Sequence, residues 1–345
     1  IMAQAQLDDT SSCAENLIGT GPFRFVDWVP NQKFTAEKNP DYWATDAAGN
    51  QLPYLDEIEF RPIVEVEQRR NALESGEINA MHTTDEDTIV DLRSLTESGD
   101  ANVYESEKFG EVTYVMLNES EPPFDNFKAR QAVAYAVDFE EYNAIVGAGI
   151  LTRASGPFAP GNIGHLDDTG FPGYDPERAE ELVAEYEDET GLPLRFTFTN
   201  TNSAAANDES QIVKEQMEAV GIEVEIVALD QSTQIDAALD GDFQAIGWRL
   251  HPGGDPDLQY NWWKSGSPVN FGNFSDPEID RLLDQGRTSK EGREQVYEDL
   301  NQRFSDELHN IWIHYTVWQV AMAPDVHGVP GEGGTSAGGF AGRAD

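Results

Sequence analysis

The first third of the chain is dominated by positions that alternate between hydrophobic and polar at a period of two, which is the pattern of half-buried strands. Alternation over residues 23–28 and 33–37, around a turn at Pro30-Asn31, predicts a hairpin. The same reasoning predicts three further elements in this part of the chain: a strand over 54–63, a short helix over 65–75 and an apolar strand over 113–117.

After Pro122-Pro123 the pattern changes to helices that alternate with strands. Periodicity and capping signals predict helices over 127–145, 176–191, 208–221, 232–239, 277–285 and 291–308. Strands are predicted over 194–198, 222–228, 243–248 and 311–322, and the Gly-rich tail 328–345 is expected to be loosely held. Strand, helix, strand, helix, strand over 194–248, with short connections, predicts a wound and mostly parallel sheet.

The candidate functional region lies where these strands end. Ligands of wound sheets bind beyond the carboxyl ends of the strands. Here those ends are residues 200–207 and 249–257, which are rich in amides, small residues and carboxylates. The stretch 242–276 adds tryptophans and further amides, a composition typical of ligand pockets.

Composition narrows the classes of function. The 345 residues are expected to form two domains, or one domain and pieces of another. The 64 acidic against 22 basic residues give a net charge of -42. Such a charge disfavours nucleic acid and anionic membrane surfaces as partners. Adaptation to high salt is the simplest explanation, and a cation-binding surface is the alternative.

Targeting and covalent features add little. One cysteine, Cys13, excludes an intrachain disulfide. No run of about 18 apolar residues and no signal peptide is visible. Because the chain opens at Ile1 without an obvious start, we expect it to be a fragment that lacks its N-terminal portion and any export signal.

The order and spacing of several short motifs resemble the family 5 extracellular solute-binding proteins of ABC transporters, the peptide- and nickel-binding group. The matching motifs are Gly19-Thr20-Gly21-Pro22-Phe23, Asn39-Pro40-Asp41-Tyr42-Trp43, Tyr54-Leu55-Asp56, Arg70-Asn71-Ala72-Leu73-Glu74-Ser75-Gly76-Glu77-Ile78, Pro123-Phe124-Asp125, Arg130-Gln131-Ala132, Tyr174-Asp175-Pro176-Glu177-Arg178-Ala179, Gly247-Trp248, Asp255-Pro256-Asp257 and Ser275-Asp276-Pro277-Glu278-Ile279-Asp280. They are spread over nearly the whole length of the chain.

The resemblance implies an α/β, two-lobed periplasmic-binding-protein-like fold with wound mixed sheets, a two-strand hinge and an incomplete first lobe. Lobe I would comprise residues 1–118, lobe II residues 119–315, and 316–345 would return to lobe I as a loose tail. The chain would cross between lobes at 115–118 and 314–318, and closure of the lobes would trap the ligand.

The resemblance also suggests how a ligand would be held. Peptide-binding relatives bind the ligand amino terminus with an aspartate three residues after the Gly-Trp tryptophan, and this chain has His251 there. Asp255 is then the nearest carboxylate. Some oligopeptide binders carry an arginine where this chain has Ala245, whereas Arg249 offers a cation that could meet a carboxylate.

The predicted ligand-binding residues are Gly247, Trp248, Arg249, His251, Asp255, Asn270, Trp262, Trp263 and Asn202. Each has a structural alternative: Trp248 could be a core residue, Asp255 a turn residue, and the Trp262-Trp263 pair surface packing with one ring facing the cleft. No metal or cofactor is expected.

The predicted function is that of a non-catalytic ABC-transporter receptor that captures short peptides and delivers them to the permease subunits. We expect a monomer on the periplasmic or extracellular face of the membrane, lipid-anchored or secreted. An oligosaccharide or another non-peptide solute is the alternative ligand. A carbohydrate-active hydrolase and a receptor for unfolded segments are the alternatives from other classes, although no catalytic motif supports the hydrolase.

Overall fold

The computed structural model describes residues 4–9, 11, 17–106, 111–250 and 255–326. The predicted ligand residue His251 and the predicted loose tail 328–345 lie outside these ranges. The chain divides into two compact units, of which the first ends at Met81 and the second begins at His82.

The first unit is built around a three-stranded antiparallel sheet. Its elements are α1 Gln4–Asp8, β1 Phe23–Val29, β2 Lys33–Lys38, β3 Glu57–Phe60 and α2 Val66–Glu74. The strand order is β1-β2-β3, and Trp28 faces Phe34 across the first pair. The predicted hairpin and the helix α2 are confirmed, whereas the strand predicted over 54–63 forms only over its central four residues.

A second small sheet begins at the boundary between the units. It has the order β4-β12-β5, from β4 Ala80–Thr83, β5 Asn102–Ser106 and β12 Trp318–Met322. Between β4 and β5 runs α3 Glu86–Ser98, which is capped by Asp85 accepting from the main-chain N–H of Thr88 at 2.9 Å. The sequence analysis predicted neither α3 nor β4 nor β5.

The remaining elements of the second unit follow the predicted alternation of helices and strands. They are β6 Val112–Leu117, α4 Phe127–Ala136, α5 Phe139–Ile145, β7 Thr152–Arg153, α6 Pro176–Thr190, β8 Arg195–Thr201, α7 Ala204–Ala219, β9 Glu223–Leu229, α8 Gln231–Asp240, β10 Ala245–Leu250, a 3-10 helix Pro256–Gln259, α9 Tyr260–Trp263, α10 Pro277–Thr288, α11 Arg293–Glu307 and β11 Asn310–Tyr315.

Six strands form the main sheet of this unit, in the order β7-β11-β6-β10-β8-β9. The pairs β8–β9 and β8–β10 are parallel, as predicted for the wound part. The pairs β10–β6, β11–β6 and β11–β7 are antiparallel. The sheet is therefore mixed, and "mostly parallel" holds only for β8, β9 and β10. The strands β6 and β11, predicted to carry the chain between lobes, are direct neighbours.

Both faces of this sheet are buried. Along β10, Ala245 packs into one hydrophobic core and Ile246 into the other. Along β11, Ile311 packs into the same core as Ala245, and Trp312 packs into the same core as Ile246. Because successive side chains of a strand point to opposite faces, each core fills one side of the sheet. This explains why strands such as β11 are hydrophobic almost throughout.

Two helix predictions are wrong in detail. The helix predicted over 127–145 is two helices, because Val137 takes an extended conformation and Asp138 starts a new helix by accepting from the N–H of Glu141. The cap of α7 is Ser203 and not Asp208, so this helix begins four residues earlier than predicted. The first error is a missed internal cap at Asp138, and the second is a choice of Asp208 over Ser203 as the cap.

The strand predicted over 311–322 is also wrong as a single element. It breaks at Thr316–Val317 into β11 and β12, which belong to different sheets. Thr316 donates its main-chain N–H to the carbonyl of Glu111 at 2.9 Å, where the chain leaves the main sheet. The apolar pattern continues through this break because residues on both sides of it are buried.

Candidate functional site

The strand β10, in the interior of the main sheet, carries three of the predicted ligand residues near its carboxyl-terminal end. Gly247 and Arg249 share one face, and Trp248 lies on the other. A Cβ atom on Gly247 would come within 2.9 Å of the Asn200 side chain, so glycine is required for this close approach. The carbonyl of Gly247 accepts from Gln234 Nε2 at 2.8 Å.

The side chain of Asn200, at the end of β8, is buried and held on several sides. Its oxygen accepts from the N–H of Thr201 at 2.8 Å, and its Nδ2 donates to Ser210 Oγ at 3.3 Å. It also hydrogen-bonds the carboxylate of Glu209 on α7. The C-terminal parts of β8 and β10 therefore lie side by side at one polar end of the sheet, whereas residues 251–254, which follow β10, lie outside the described ranges.

Arg249 is the cation of this edge, and its side chain is half-exposed. Nη1 donates to Thr84 Oγ1 at 3.2 Å and lies 3.7 Å from Glu111 Oε1. Glu111 is itself engaged, because its Oε2 accepts from Trp318 Nε1 at 2.6 Å. Because a guanidinium carries five N–H donors, these contacts leave some donors of Arg249 for a ligand.

Two half-buried carboxylates, Glu86 and Glu209, complete a charged cluster with Arg249 and Glu111. Burial raises the pKa of Glu86 to about 7, and the negative charges of Glu209 and Asp85 contribute to this rise. A hydrogen bond to its own main chain and the positive charge of Arg249 lower the pKa. Burial likewise raises the pKa of Glu209, against the opposing effects of Arg249 and Asn200. Partial burial of two carboxylates near one arginine makes their protonation sensitive to what binds there.

Two aromatic residues lie beneath the cluster. The rings of Tyr142 and His314 are 6.0 Å apart, and both residues are buried. Burial and the charge of Arg249 lower the pKa of His314 to about 3, despite a main-chain contact at Tyr315 that raises it, so the imidazole is neutral. Burial raises the pKa of Tyr142, and the charges of Glu209 and Glu86 raise it further.

The other face of β10 holds aromatic rings. Trp248 and Trp262 each meet the ring of Phe271 edge-on, at 5.8 and 5.4 Å between centroids. Trp248 is partly buried, and Trp262 is more exposed. Trp263 instead points into the core, 4.9 Å from the ring of Phe304. Of the tryptophan pair, Trp262 is thus the one that a ligand could reach.

The other predicted ligand residues for which contacts are described bond to residues outside the charged cluster. Both carboxylate oxygens of Asp255 bind the guanidinium of Arg293, at 2.6 Å from Nη1 and at a shorter contact from Nη2. Asn270 is buried, with Nδ2 donating to the carbonyl of Phe274 at 3.0 Å. Asn202 is exposed just after β8. The ligand roles of all these residues remain predictions.

Thr84, Glu86, Glu111 and Glu209 were missed by the sequence analysis. Thr84 and Glu86 fall in a stretch for which no element was predicted, and the two other glutamates are among 64 acidic residues. Nothing in their local sequence distinguishes them. Only the approach of α3, α7 and β10 brings them together.

The described residues contain no group of three or more His, Cys, Asp or Glu side chains placed to hold a metal ion. Among the helices in the described ranges, none has the length and apolar character needed to cross a membrane.

Comparison with known proteins gives a consistent result. Residues 2–271 match the family model described as "Bacterial extracellular solute-binding proteins, family 5 Middle". The glutathione-binding protein GsiB of Pectobacterium atrosepticum is 32% identical over 216 residues, which cover 62% of this chain and 39% of that protein. The heme-binding protein A of Haemophilus influenzae is 26% identical over 321 residues, which cover 90% of this chain and 57% of that protein.

Among solved structures, the ABC transporter-associated periplasmic binding protein DppA of Helicobacter pylori, in complex with the peptide STSA, superposes with a TM-score of 0.82 at 22% identity. The match covers 95% of this chain and 65% of that one. The chain thus spans between about two fifths and two thirds of the lengths of these three proteins. The predicted α/β, periplasmic-binding-protein-like fold class is confirmed.

Proposed function

Because the chain belongs to the bacterial extracellular solute-binding proteins of family 5, we propose that it captures short peptides and delivers them to the permease subunits of an ABC transporter. The protein acts as a monomer outside the cytoplasmic membrane, secreted or lipid-anchored, and performs no catalytic step. The ligand lies at the end of β10 and is enclosed by closure of the two lobes. Lobe I comprises residues 1–118 and lobe II residues 119–315.

The observation that carries this proposal is the charged cluster at the end of β10. The half-exposed guanidinium of Arg249 can bind a ligand carboxylate, and Glu86 and Glu209 lie near enough for the charge of Arg249 to shift their pKa values. A short peptide is a zwitterion, so one site with groups of both signs matches its two ends. A neutral sugar would displace water from these partly buried groups without supplying an opposite charge, at a free-energy cost.

Lobe closure is proposed as the binding step. Thr84 and Arg249, whose side chains meet at 3.2 Å, both lie in the unit that begins at His82, so this contact holds the cluster together within that unit. Closure encloses the ligand against such groups and excludes water, which strengthens each hydrogen bond made there. The names of the similar proteins, which bind glutathione, heme and a peptide, suggest that charged organic ligands are common in the family.

Calorimetric titration tests the proposal with three probes: trialanine, the same peptide blocked at both ends, and maltotriose, all in 2 M KCl. We expect trialanine to bind and the blocked peptide to bind at least about tenfold more weakly, because it carries neither end charge. Arg249→Gln should weaken trialanine binding by a similar factor. Arg178→Gln, which removes a partly exposed charge on α6, is the matched control and should not.

Binding of maltotriose without trialanine would overturn the peptide assignment in favour of a sugar receptor that uses Trp248 and Trp262. Equal binding of the free and the blocked peptide would remove the charged cluster from ligand recognition.

A further inference from the structure

We propose that Glu111 is a positioning residue for ligand recognition: its carboxylate holds the guanidinium of Arg249 in the orientation that receives the carboxylate of a bound peptide. This inference rests on the proposed function, in which Arg249 binds that carboxylate. It names the residue on which the discrimination between a charged and a neutral ligand end depends. Glu111 acts through Arg249 and not by touching the ligand.

The register of the main sheet brings the two side chains together. Arg249 on β10 is paired with Thr113 on β6, and Glu111 precedes Thr113 by two residues. Side chains two residues apart along a strand share a face, so Glu111 is a diagonal neighbour of Arg249. The two side chains meet accordingly, with Arg249 Nη1 3.7 Å from Glu111 Oε1. The strand pairing itself therefore places this ion pair.

Glu111 is anchored by the segment that follows β11. Its main-chain carbonyl accepts from the N–H of Thr316 at 2.9 Å, and its Oε2 accepts from Trp318 Nε1 at 2.6 Å. The indole of Trp318 is stacked on the ring of His82, with 5.3 Å between centroids and 9° between planes. Glu111 is itself only 8% exposed. These contacts fix the position of its carboxylate.

Arg249 needs such a fixed partner. Its side chain is 49% exposed, so an unrestrained guanidinium would sample several rotamers, and ligand binding would have to overcome the loss of that freedom. Thr84 accepts one hydrogen bond from it but carries no charge. Within the described part of the chain, Glu111 is the carboxylate with which Arg249 forms an ion pair. Glu111 therefore supplies the directional attraction that orients the guanidinium.

The geometry orients Arg249 without using up its donors. A separation of 3.7 Å is that of an ion pair and is too long for a hydrogen bond, and Oε2 of Glu111 is already engaged by Trp318. A guanidinium carries five N–H donors, and Thr84 takes a hydrogen bond from one of its nitrogens. A ligand carboxylate can therefore form charge-assisted hydrogen bonds with the remaining donors while Glu111 keeps its place.

The charge of Glu111 has a second effect, of opposite sign, because it repels a ligand carboxylate. At high salt this repulsion is screened over about 3 Å, whereas the orientation that a buried carboxylate imposes on the guanidinium beside it persists. Positioning is then the larger effect. We therefore expect loss of Glu111 to weaken the recognition of a ligand carboxylate and not to strengthen it.

Calorimetric titration in 2 M KCl compares trialanine with trialanine amide, which lacks the carboxylate and keeps the amino terminus. The ratio of the two affinities is the readout, because a general loss of folding or of site shape changes both affinities alike. We expect a ratio of at least about tenfold in the wild-type protein. It should fall below about threefold in Glu111→Gln, which keeps the side-chain shape and an acceptor for Trp318 but removes the charge.

Two further variants separate position from charge. Trp318→Phe leaves Glu111 charged and removes the hydrogen bond that anchors its carboxylate, so the ratio should fall by at least about threefold. In an Arg249→Gln background, Glu111→Gln should leave the ratio unchanged, because a positioning residue has no effect once the group that it positions is gone.

The matched controls remove similar groups outside the charged cluster. Glu105→Gln breaks a contact between a carboxylate and the guanidinium of Arg93, 2.6 Å apart, in the same small sheet as Trp318. Trp43→Phe changes an indole that is 80% exposed. Both variants should keep the wild-type ratio. Urea unfolding of every variant shows that the protein used in each titration is folded.

The outcomes separate this inference from the proposed function. If Arg249→Gln abolishes the preference for the free carboxylate but Glu111→Gln keeps it, Glu111 does not position Arg249, and the peptide receptor stands. A higher ratio in Glu111→Gln would make Glu111 a competitor of the ligand and would overturn the inference. An unchanged ratio in Trp318→Phe would assign the effect to charge alone, with the same consequence.

Two results with the wild-type protein would reach further. Equal binding of trialanine and its amide would remove carboxylate recognition by Arg249, and the role of Glu111 with it. If neither peptide binds, the proposed function itself fails.

Discussion

At the scale of single residues, the partner of a side chain decides its role. Asp255 was predicted to hold a ligand because it is the first carboxylate after the His-Pro-Gly-Gly loop. In the fold its carboxylate accepts from the N–H of Asp257 at 2.9 Å and binds Arg293 through both oxygens. The bond to Arg293 holds the pKa of Asp255 below its ordinary value, against the effect of burial. A carboxylate engaged in this way has little capacity left for a ligand ammonium.

We therefore expect Asp255→Asn to act on stability and not on binding. The free energy of unfolding should fall by about 0.5–1 kcal/mol, the range of a partly exposed ion pair, with trialanine affinity unchanged within about twofold. Urea unfolding and calorimetric titration measure the two quantities. Asp236→Asn, at an exposed position of α8, is the control for loss of one charge. A tenfold loss of affinity at unchanged stability would instead return Asp255 to the ligand site.

At the scale of elements, a buried network of charged side chains joins α4, α10, α11 and the start of β11. His309 Nδ1 lies 2.6 Å from Glu119 Oε1, and its Nε2 lies 3.4 Å from Asp276. Arg303 donates to the same carboxylate of Asp276 at 2.7 Å, and Arg130 pairs with Glu119 at 3.2 Å. Asp276 is also the N-cap of α10, so the network fixes where this helix begins.

This network predicts a pH-dependent contribution to stability. Burial lowers the pKa of His309, but the hydrogen bonds to Asp276 and Glu119 outweigh it, and the pKa is raised. A group with a raised pKa in the folded state stabilises the fold fully below its unfolded pKa of about 6.5, and this contribution is lost as the pH rises through the folded value. His309→Gln should cost about 2–4 kcal/mol at pH 6 and less at pH 9.

Urea unfolding at constant salt, followed by tryptophan fluorescence, measures this difference at each pH. The same substitution in a Glu119→Gln background is the control, because one of the two carboxylates that raise the pKa is then neutral. The pH dependence of the His309→Gln cost should be smaller there. A cost that is the same at pH 6 and pH 9 in the wild-type background would refute a charged His309.

At the scale of the whole molecule, the net charge of -42 is the dominant property. In the described residues many of the ion pairs are exposed, as in the contacts of Arg24 with Asp41 and of Arg281 with Glu278. Exposed pairs contribute little to stability. The excess of negative charge therefore acts mainly as repulsion that the folded state has to overcome, and dissolved salt screens it.

Raising KCl from 0.1 to 2 M should increase the melting temperature by roughly 5 °C or more, because screening removes part of this self-repulsion. Scanning calorimetry measures the change. Glycine at the same osmolality is the control, since a zwitterion does not screen fixed charges. A melting temperature that does not change with KCl would contradict adaptation to high salt.

The sequence by itself determined the features that depend on near neighbours along the chain. The period-two alternation predicted the β1–β2 hairpin, and the β8–β10 succession predicted the wound part of the main sheet. Motifs spread along the chain indicated the family before any fold was known. These signals are readable because side-chain periodicity and capping are local properties.

Only the tertiary structure decided where helices and strands stop and which charges meet. The break at Thr316–Val317 follows from membership in two different sheets, which apolar periodicity does not encode. Glu86, Glu209 and Arg249 are separated by 123 and 40 residues along the chain. Their meeting depends on the strand order β6-β10-β8 and on the helices beside it. Such contacts arise from non-local pairing and register, so a sequence of 64 scattered acidic residues could not single them out.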